Sequence, residues 1–186
     1  MKPYVRGKSI FFREINCDDA EFVLGLRTDP EKGKFLSLTP NDVAKQKEFI
    51  TTYAQSKTDF YFIICDWNWN RVGTVRLYDI QGDSFSWGSW IKAENAPKNF
   101  AIESALLVYE FAFFSLHYPK VHFDVRKGND RVIDFHKKFD ATIVGEDELN
   151  FYFHYNLEAY LKIRQKYLRF LPTTEAMTNE DSPTNR

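Results

Sequence analysis

Short apolar runs broken by polar turns dominate the chain, and between them lie stretches whose apolar residues return every three or four positions. The first run, residues 8–15, holds Ile10, Phe11 and Phe12 and predicts a strand. Asn16 and two aspartates then precede a helical stretch with Phe22, Val23 and Leu26 as its apolar face, a polar start that satisfies free helix N–H groups. An irregular connection at 28–37 leads to a second helix from Val43 to about Gln55, striped by Phe49, Ile50 and Tyr53. Runs at 59–65 and 71–80 flank Asp66-Trp-Asn-Trp-Asn70 as a hairpin, and Gln81-Gly-Asp83 turns the chain into the run 84–92. Gly88 inside that run marks a bulge or a close backbone approach. Downstream the period changes. A long helix is predicted from about Asn99 to His117, with Tyr109 to Phe114 in the core. A strand at 120–125, a short helix from Asn129, strands at 141–144 and 150–155, and a helix from Leu157 to about Phe170 follow.

An antiparallel meander followed by strand–helix alternation predicts a single α/β (α+β) domain: a mixed, mostly antiparallel sheet of about seven strands with helices on both faces. Residues 1–171 form the domain, and 172–186, polar and without apolar anchors, a flexible tail. Eighteen Phe and ten Tyr in 186 residues supply one sizeable core. A formal net charge of -1 leaves no overall attraction to nucleic acid or an anionic membrane, and neither is an expected partner. No run reaches the roughly 18 apolar residues of a membrane span. The N-terminus lacks a signal peptide's apolar centre, so the expected location is the cytoplasm. Cys17 and Cys65 have no zinc-site spacing; packing roles in a reducing compartment, and no bound metal, are expected.

Two segments carry chemistry. Ala96-Pro-Lys-Asn-Phe-Ala-Ile-Glu-Ser reads as a turn opening a helix, where outward N–H groups can hold a phosphate. Asn129-Asp-Arg-Val-Ile-Asp-Phe-His-Lys-Lys-Phe reads as a short helix after an apolar strand, with His136 two turns beyond Asn129 on the same face. Anion cradle, strand, Asn, then a proton donor on the next helix is a layout that resembles the Gcn5-related N-acetyltransferases, or GNATs, over roughly residues 9–155. The family's phosphate loop, Gln/Arg-x-x-Gly-x-Gly/Ala, falls on Ala96, Asn99 and Ala101; only Ala101 agrees, and Lys98 offers positive charge beside it. Asn129, Ile133, Lys138 and Phe139 match the second family pattern, with His136 at the Tyr position and Asp140 at the Gly position.

The resemblance implies a fold in which two parallel strands, here 84–92 and 120–125, splay to admit the pantetheine arm of acetyl-CoA. Trp90, Ile91 and Lys92 would offer backbone to that arm, and Lys98, Asn99, Phe100 and Ala101 would seat the pyrophosphate. Asn129 would anchor the cofactor or cap its helix. His136 would act as general acid to the thiolate, its unperturbed pKa being about 6.5; its other reading is a solvated residue beside Lys137 and Lys138. Asp83, Glu103, His122 and Asp124 are candidate bases, with Asp124 preferred for its place near a strand's C-terminal end. By the same resemblance the acceptor pocket would draw on Arg27, Phe35, Leu36 and Ser37, with Trp87, Tyr78 and Tyr152 from the sheet. Arg27 suits a bidentate grip on phosphate, with a surface salt bridge as its other reading, and Trp87 or Tyr78 could cover a sugar's apolar face, with a place in the core as the other reading for Trp87 and Trp90.

The phrases Gly-Thr-Val-Arg-Leu-Tyr-Asp-Ile and Phe-Ala-Ile-Glu-Ser-Ala-Leu-Leu resemble the branch holding ribosomal-protein N-terminal and amino-sugar acetyltransferases. The implied reaction is acyl transfer from acetyl-CoA to a primary amine. An aromatic, not conspicuously acidic acceptor surface favours the amine of a nucleotide-linked sugar in surface-polysaccharide synthesis over a polyamine or basic peptide. An N-terminal acetyltransferase for ribosomal or other proteins, and a non-catalytic acyl-CoA-binding module, are the alternatives. The expected partner is a small-molecule amine, and the expected assembly a monomer or homodimer.

Overall fold

The structure, a computed structural model, describes residues 4–56 and 58–172. Along them run β1 (Val5–Arg6), β2 (Ile10–Glu14), α1 (Ala20–Thr28), α2 (Val43–Tyr53), β3 (Phe60–Asp66), β4 (Arg71–Gln81) and β5 (Ser84–Lys92). Then come α3 (Phe100–Glu110), β6 (Lys120–Arg126), α4 (Asp130–Lys138), β7 (Thr142–Glu146), β8 (Asn150–Asn156) and α5 (Leu157–Tyr167). The sheet has eight strands in the order β1-β2-β3-β4-β5-β6-β8-β7, antiparallel throughout except between β5 and β6. The strand beyond the expected seven is β1, whose two residues are too few to show an alternation. The tail predicted from Pro172 onward lies, past that residue, outside the described residues.

Alternate side chains on a strand point to opposite faces, and each face has its own cover. Phe11 on β2 and Tyr61, Ile63 and Cys65 on β3 pack under α1 and α2 with Val23, Ile50 and Tyr53. Their neighbours Ile10, Phe12, Phe62 and Ile64 point the other way, into a larger core closed by α3, α4 and α5 through Leu106, Tyr109, Ile133 and Tyr160. On the first face α1 extends as far as β5, where Leu26 meets Ile91 and Ala93. Further along that face β6 and β8 present His122, Asp124, Tyr152 and His154, none of them buried. Helix starts follow their side chains: Asp42 accepts from the N–H groups of Ala44 and Lys45 at α2, and Asn156 from that of Ala159 at α5. Of the two cysteines expected to pack, Cys65 is buried but Cys17 is exposed, its Sγ beside Thr51.

The long helix ends earlier than its spacing predicts. After Glu110 the chain widens into a π-helical turn, Phe111–Ser115, so that Phe111, Ala112 and Phe113 are all buried while Phe114 is 44% exposed. His117 then leaves with a φ of +61°. The start of α3 is pinned twice. The Phe100 ring fills the space above Gly73, where an added Cβ would lie 2.5 Å from the ring. Glu103, 1% exposed, accepts from the backbone N–H of Ser9 at 2.7 Å and of Ile10 at 3.2 Å and bonds the Ser9 hydroxyl, tying α3 to the start of β2.

Truncating Glu103 leaves those buried donors unpaired. Glu103→Ala is expected to cost about 3 kcal/mol, which lowers the melting temperature by roughly 6–12 °C for a domain of this size. A calorimetric melt within a degree of the parent would show that the tie contributes nothing.

Candidate active site

The parallel ladder between β5 and β6 stops almost as soon as it begins. Only Ser84 with Lys120 and Phe85 with Val121 are paired, and beyond them residues 86–92 and 122–126 face each other without ladder hydrogen bonds. On the outer side β6 is held by β8 through seven paired positions. The inner side slips: Thr74 of β4 stands opposite Ile91, but Arg76 stands opposite Gly88, which leaves one extra residue in β5. That bulge centres on Ser89, a non-glycine residue at φ +47° whose carbonyl accepts from the Thr74 hydroxyl at 2.8 Å. Gly88 has a different purpose from the bulge itself. A Cβ there would lie 2.8 Å from the Tyr78 hydroxyl, so glycine admits the tyrosine.

A cavity of about 680 Å³ fills the wedge and brings together Arg27, Tyr78, Trp87, Trp90, Ile91, Lys92, Asp124, Asn129 and His136. Lys98, Asn99, Phe100 and Ala101 are not among its lining residues. They form the start of α3, where Lys98 and Asn99 are exposed and Phe100 is spent on packing over Gly73. Asn99 stands at the N-cap position of α3 with φ -86° and makes no side-chain cap bond. Asn129 sits at the N-cap position of α4 but makes no side-chain cap bond. Trp90 donates its Nε1–H to the Ser104 hydroxyl at 2.9 Å, which fixes its ring against α3.

Arg27 is engaged differently from a free phosphate grip. Its Nε donates to the Thr39 hydroxyl at 2.6 Å, one terminal nitrogen to the Ser89 hydroxyl at 3.3 Å, and the other to the Ser37 hydroxyl at 3.0 Å and carbonyl at 3.3 Å. Three of these partners lie on the connection between α1 and α2, and the fourth is the bulge. Phe35 on the same connection reaches the far side of the wedge, within 3.8 Å of a Cβ placed on Gly128, in the turn between β6 and α4. The connection therefore straps the wedge from one lip to the other, and no regularity in the sequence announces it.

The candidate bases separate. Asp124 is exposed and lines the wedge cavity. Glu103 is the structural tie already described and faces away. Asp83 pairs with Lys120 at 2.8 Å, and His122 lies between Ser84 and Asp79.

A family profile described as the acetyltransferase (GNAT) domain matches residues 9–142. The chain is a GNAT acetyltransferase. Its fold is similar to that of FdhC in the apo state, described as a nucleotide-linked sugar GNAT, with a TM-score of 0.83 and 37% identity over 90% of this chain and 98% of that one. The spermidine N-acetyltransferase of Vibrio cholerae, in complex with CoA and spermine, gives 0.72 at 19% identity, over 82% of this chain and 98% of that one. A GCN5-related N-acetyltransferase of Brucella melitensis gives 0.75 at 14%, over 91% and 85%. These last two likenesses concern the fold. No curated protein matches. The protein is accordingly an acetyl-CoA-dependent N-acetyltransferase. Among the described residues no group of three or more His, Cys, Asp or Glu could hold a metal ion, and no helix is long and apolar enough to cross a membrane.

Within this GNAT enzyme His136 is the least ordinary side chain. It is 3% exposed, which removes the reading as a solvated residue beside Lys137 and Lys138. Trp87, Phe123, Phe135 and Phe153 surround its ring, and its Nδ1 has no hydrogen-bond partner among protein atoms. Burial among these rings disfavours the charged form and lowers the pKa to about 3, so the imidazole is neutral at pH 7 and holds no spare proton.

Because the folded-state pKa of His136 lies below its unfolded value, its contribution to stability is full above pH 6.5 and lost as the pH falls toward 3. Relative to His136→Phe, the parent enzyme should lose about 3 kcal/mol between pH 7 and pH 4; parallel denaturation curves of the two proteins across that range would contradict the neutral imidazole. Arg27→Ala releases both the strap and the bulge. The Michaelis constants for acceptor and acetyl-CoA should therefore rise together, by about tenfold each, whereas a rise confined to the acceptor would make Arg27 a direct acceptor ligand.

Proposed function

We propose that the enzyme acetylates the primary amine of a nucleotide-linked amino sugar, in the synthesis of a surface polysaccharide. One observation carries the reading: the wedge cavity is lined by Arg27, Lys32, Lys34, Lys92, Arg126 and Arg131 against only Glu31 and Asp124, in a chain whose formal net charge is -1. Lys92, Arg126 and Arg131 pair with no carboxylate among the described residues. Such a cleft attracts phosphates and repels a polyamine or basic peptide. The 37% identity to FdhC, a nucleotide-linked sugar GNAT, supports the same acceptor class.

The chain's groups suit acetyl-CoA. Strand segments 86–92 and 122–126 have backbone groups that β5–β6 pairing leaves over, and buried His136 Nδ1 is unpartnered. Trp90, Ile91 and Lys92 would hold the pantetheine by backbone, Asn129 would anchor it from α4, and the uncapped start of α3 at Lys98, Asn99, Phe100 and Ala101 would seat the pyrophosphate. When bound, acetyl-CoA supplies an acetyl thioester whose carbonyl carbon accepts the amine and whose sulfur departs as thiolate. Asp124, exposed at the wedge, would take the proton that the attacking amine releases. Neutral His136 would stabilise the departing sulfur by donating an N–H hydrogen bond while keeping its own proton. Tyr78 lines the cavity and would meet the sugar, whereas Trp87, 5% exposed, is spent on packing against Tyr109, Phe123 and His136.

Free-thiol release with acetyl-CoA, measured against sugar nucleotides bearing an amine, a ribosomal-protein N-terminal peptide and a polyamine, is expected only with a sugar nucleotide. With that acceptor, His136→Phe should lower the turnover number about tenfold or more while acetyl-CoA affinity holds. Efficient acetylation of the peptide with every sugar nucleotide ignored would reverse the assignment.

A further inference from the structure

A second cavity, of about 790 Å³, adjoins the first, and Tyr78, Phe123 and Asp124 line both. Its floor is the part of the sheet where β6 and β8 present polar side chains on the face that α1 and α2 cover elsewhere. The charge changes sign between the two. The second cavity is lined by Asp79, Asp124 and Asp140 with a single lysine, Lys120, and that lysine is paired with Asp83 at 2.8 Å. Across its floor runs a fixed polar network over three strands: the Ser84 hydroxyl meets His122 Nδ1 at 2.7 Å, and His122 Nε2 meets Asp79 at 3.3 Å. His154, exposed on β8, stands directly opposite His122.

A polyamine would match only this acidic cavity, and a bare nucleotide only the basic one. A molecule with an amine at one end and a diphosphate at the other matches both. Resting on the acceptor class proposed above, we infer that the acceptor lies across the Tyr78–Asp124 junction, with its diphosphate toward Lys34 and Arg126 and its amino-sugar ring over the Asp79–His122–Ser84 network. Lys34 and Arg126 line one cavity, and Phe35, next to Lys34, lies 3.8 Å from a Cβ placed on Gly128, in the turn that follows Arg126. The ring's hydroxyls would donate to Asp79 and Asp124, and carboxylates are strong acceptors because the bond is charge-assisted. The junction also sets the amine beside Asp124, the residue proposed to take its proton. Specificity for the sugar then resides in side chains outside the wedge.

Titration calorimetry with UDP and with UDP-glucosamine separates the two ends. In the parent enzyme UDP-glucosamine should bind more tightly than UDP. Lys34→Ala combined with Arg126→Ala should weaken both ligands by a common factor of about tenfold or more. Asp79→Asn combined with His154→Ala should leave UDP affinity unchanged, which also reports an intact fold, and should abolish the advantage of UDP-glucosamine. If that advantage is absent in the parent enzyme or survives the second pair of changes, the ring is not there. UDP binding that ignores Lys34 and Arg126 overturns the placement while leaving the acceptor class standing. Failure of the parent enzyme to bind either ligand, with a peptide turned over instead, removes the acceptor class itself.

Discussion

Two neighbouring strands that pair at one end and part at the other leave backbone donors and acceptors that something must satisfy, and much of this molecule is arranged around that constraint. The parting is imposed from both sides. β8 holds β6 along its full length, and the bulge at Ser89 shifts the register of β5 on β4 where the two parallel strands part. The elements behind the wedge act as props. Phe100 over Gly73 and Glu103 on Ser9 and Ile10 fix where α3 begins, and hence where its N–H groups point relative to the opening.

The strap over the wedge couples the acceptor side to the cofactor side through one guanidinium. Arg27 has no carboxylate partner among the described residues, yet its hydrogen bonds to Thr39, Ser37 and Ser89 use most of its donors. It thus orders a 29–42 connection that would otherwise carry a large conformational freedom, and it leaves its charge to add to the field of Lys34, Arg126 and Arg131. Burial shapes His136 in a related way. A tyrosine, ordinarily titrating near 10, is a neutral donor at pH 7. The aromatic surroundings hold the imidazole neutral too, so the two residue types become alike in charge at this place.

Much of the frame was legible in order and spacing alone. The meander followed by strand–helix alternation predicted the mixed, mostly antiparallel sheet, the family resemblance placed its parallel pair, and helical geometry put Asn129 and His136 on one face, where both line the wedge cavity. Gly88 marked the edge of a bulge that runs from it to Ile91 and centres on Ser89, whose left-handed backbone no local pattern announces; the close approach at Gly88 is by the Tyr78 side chain and not by backbone. The π-helical turn after Glu110 was equally invisible, because Phe111, Ala112 and Phe113 satisfy a helical pattern until β3, β5, β8 and α5 pack against Phe111 and Phe113.

What the sequence by itself determined was local and periodic: which residues form strands and helices, which faces are apolar, and the one motif whose spacing is set by a single helix. The tertiary structure alone decided what depends on distant segments meeting. Arg27 reads as a free phosphate ligand until Thr39 and Ser89 are brought to it, and His136 reads as a titrating acid until Trp87, Phe123 and Phe153 remove its water. Lys34 and Arg126 are ordinary surface charges 92 positions apart in sequence until both line one cavity. Periodicity follows from the geometry of neighbouring backbone units and survives in any context. Charge state and hydrogen-bond occupancy depend on solvent exclusion and on partners, and these exist only once the chain has folded.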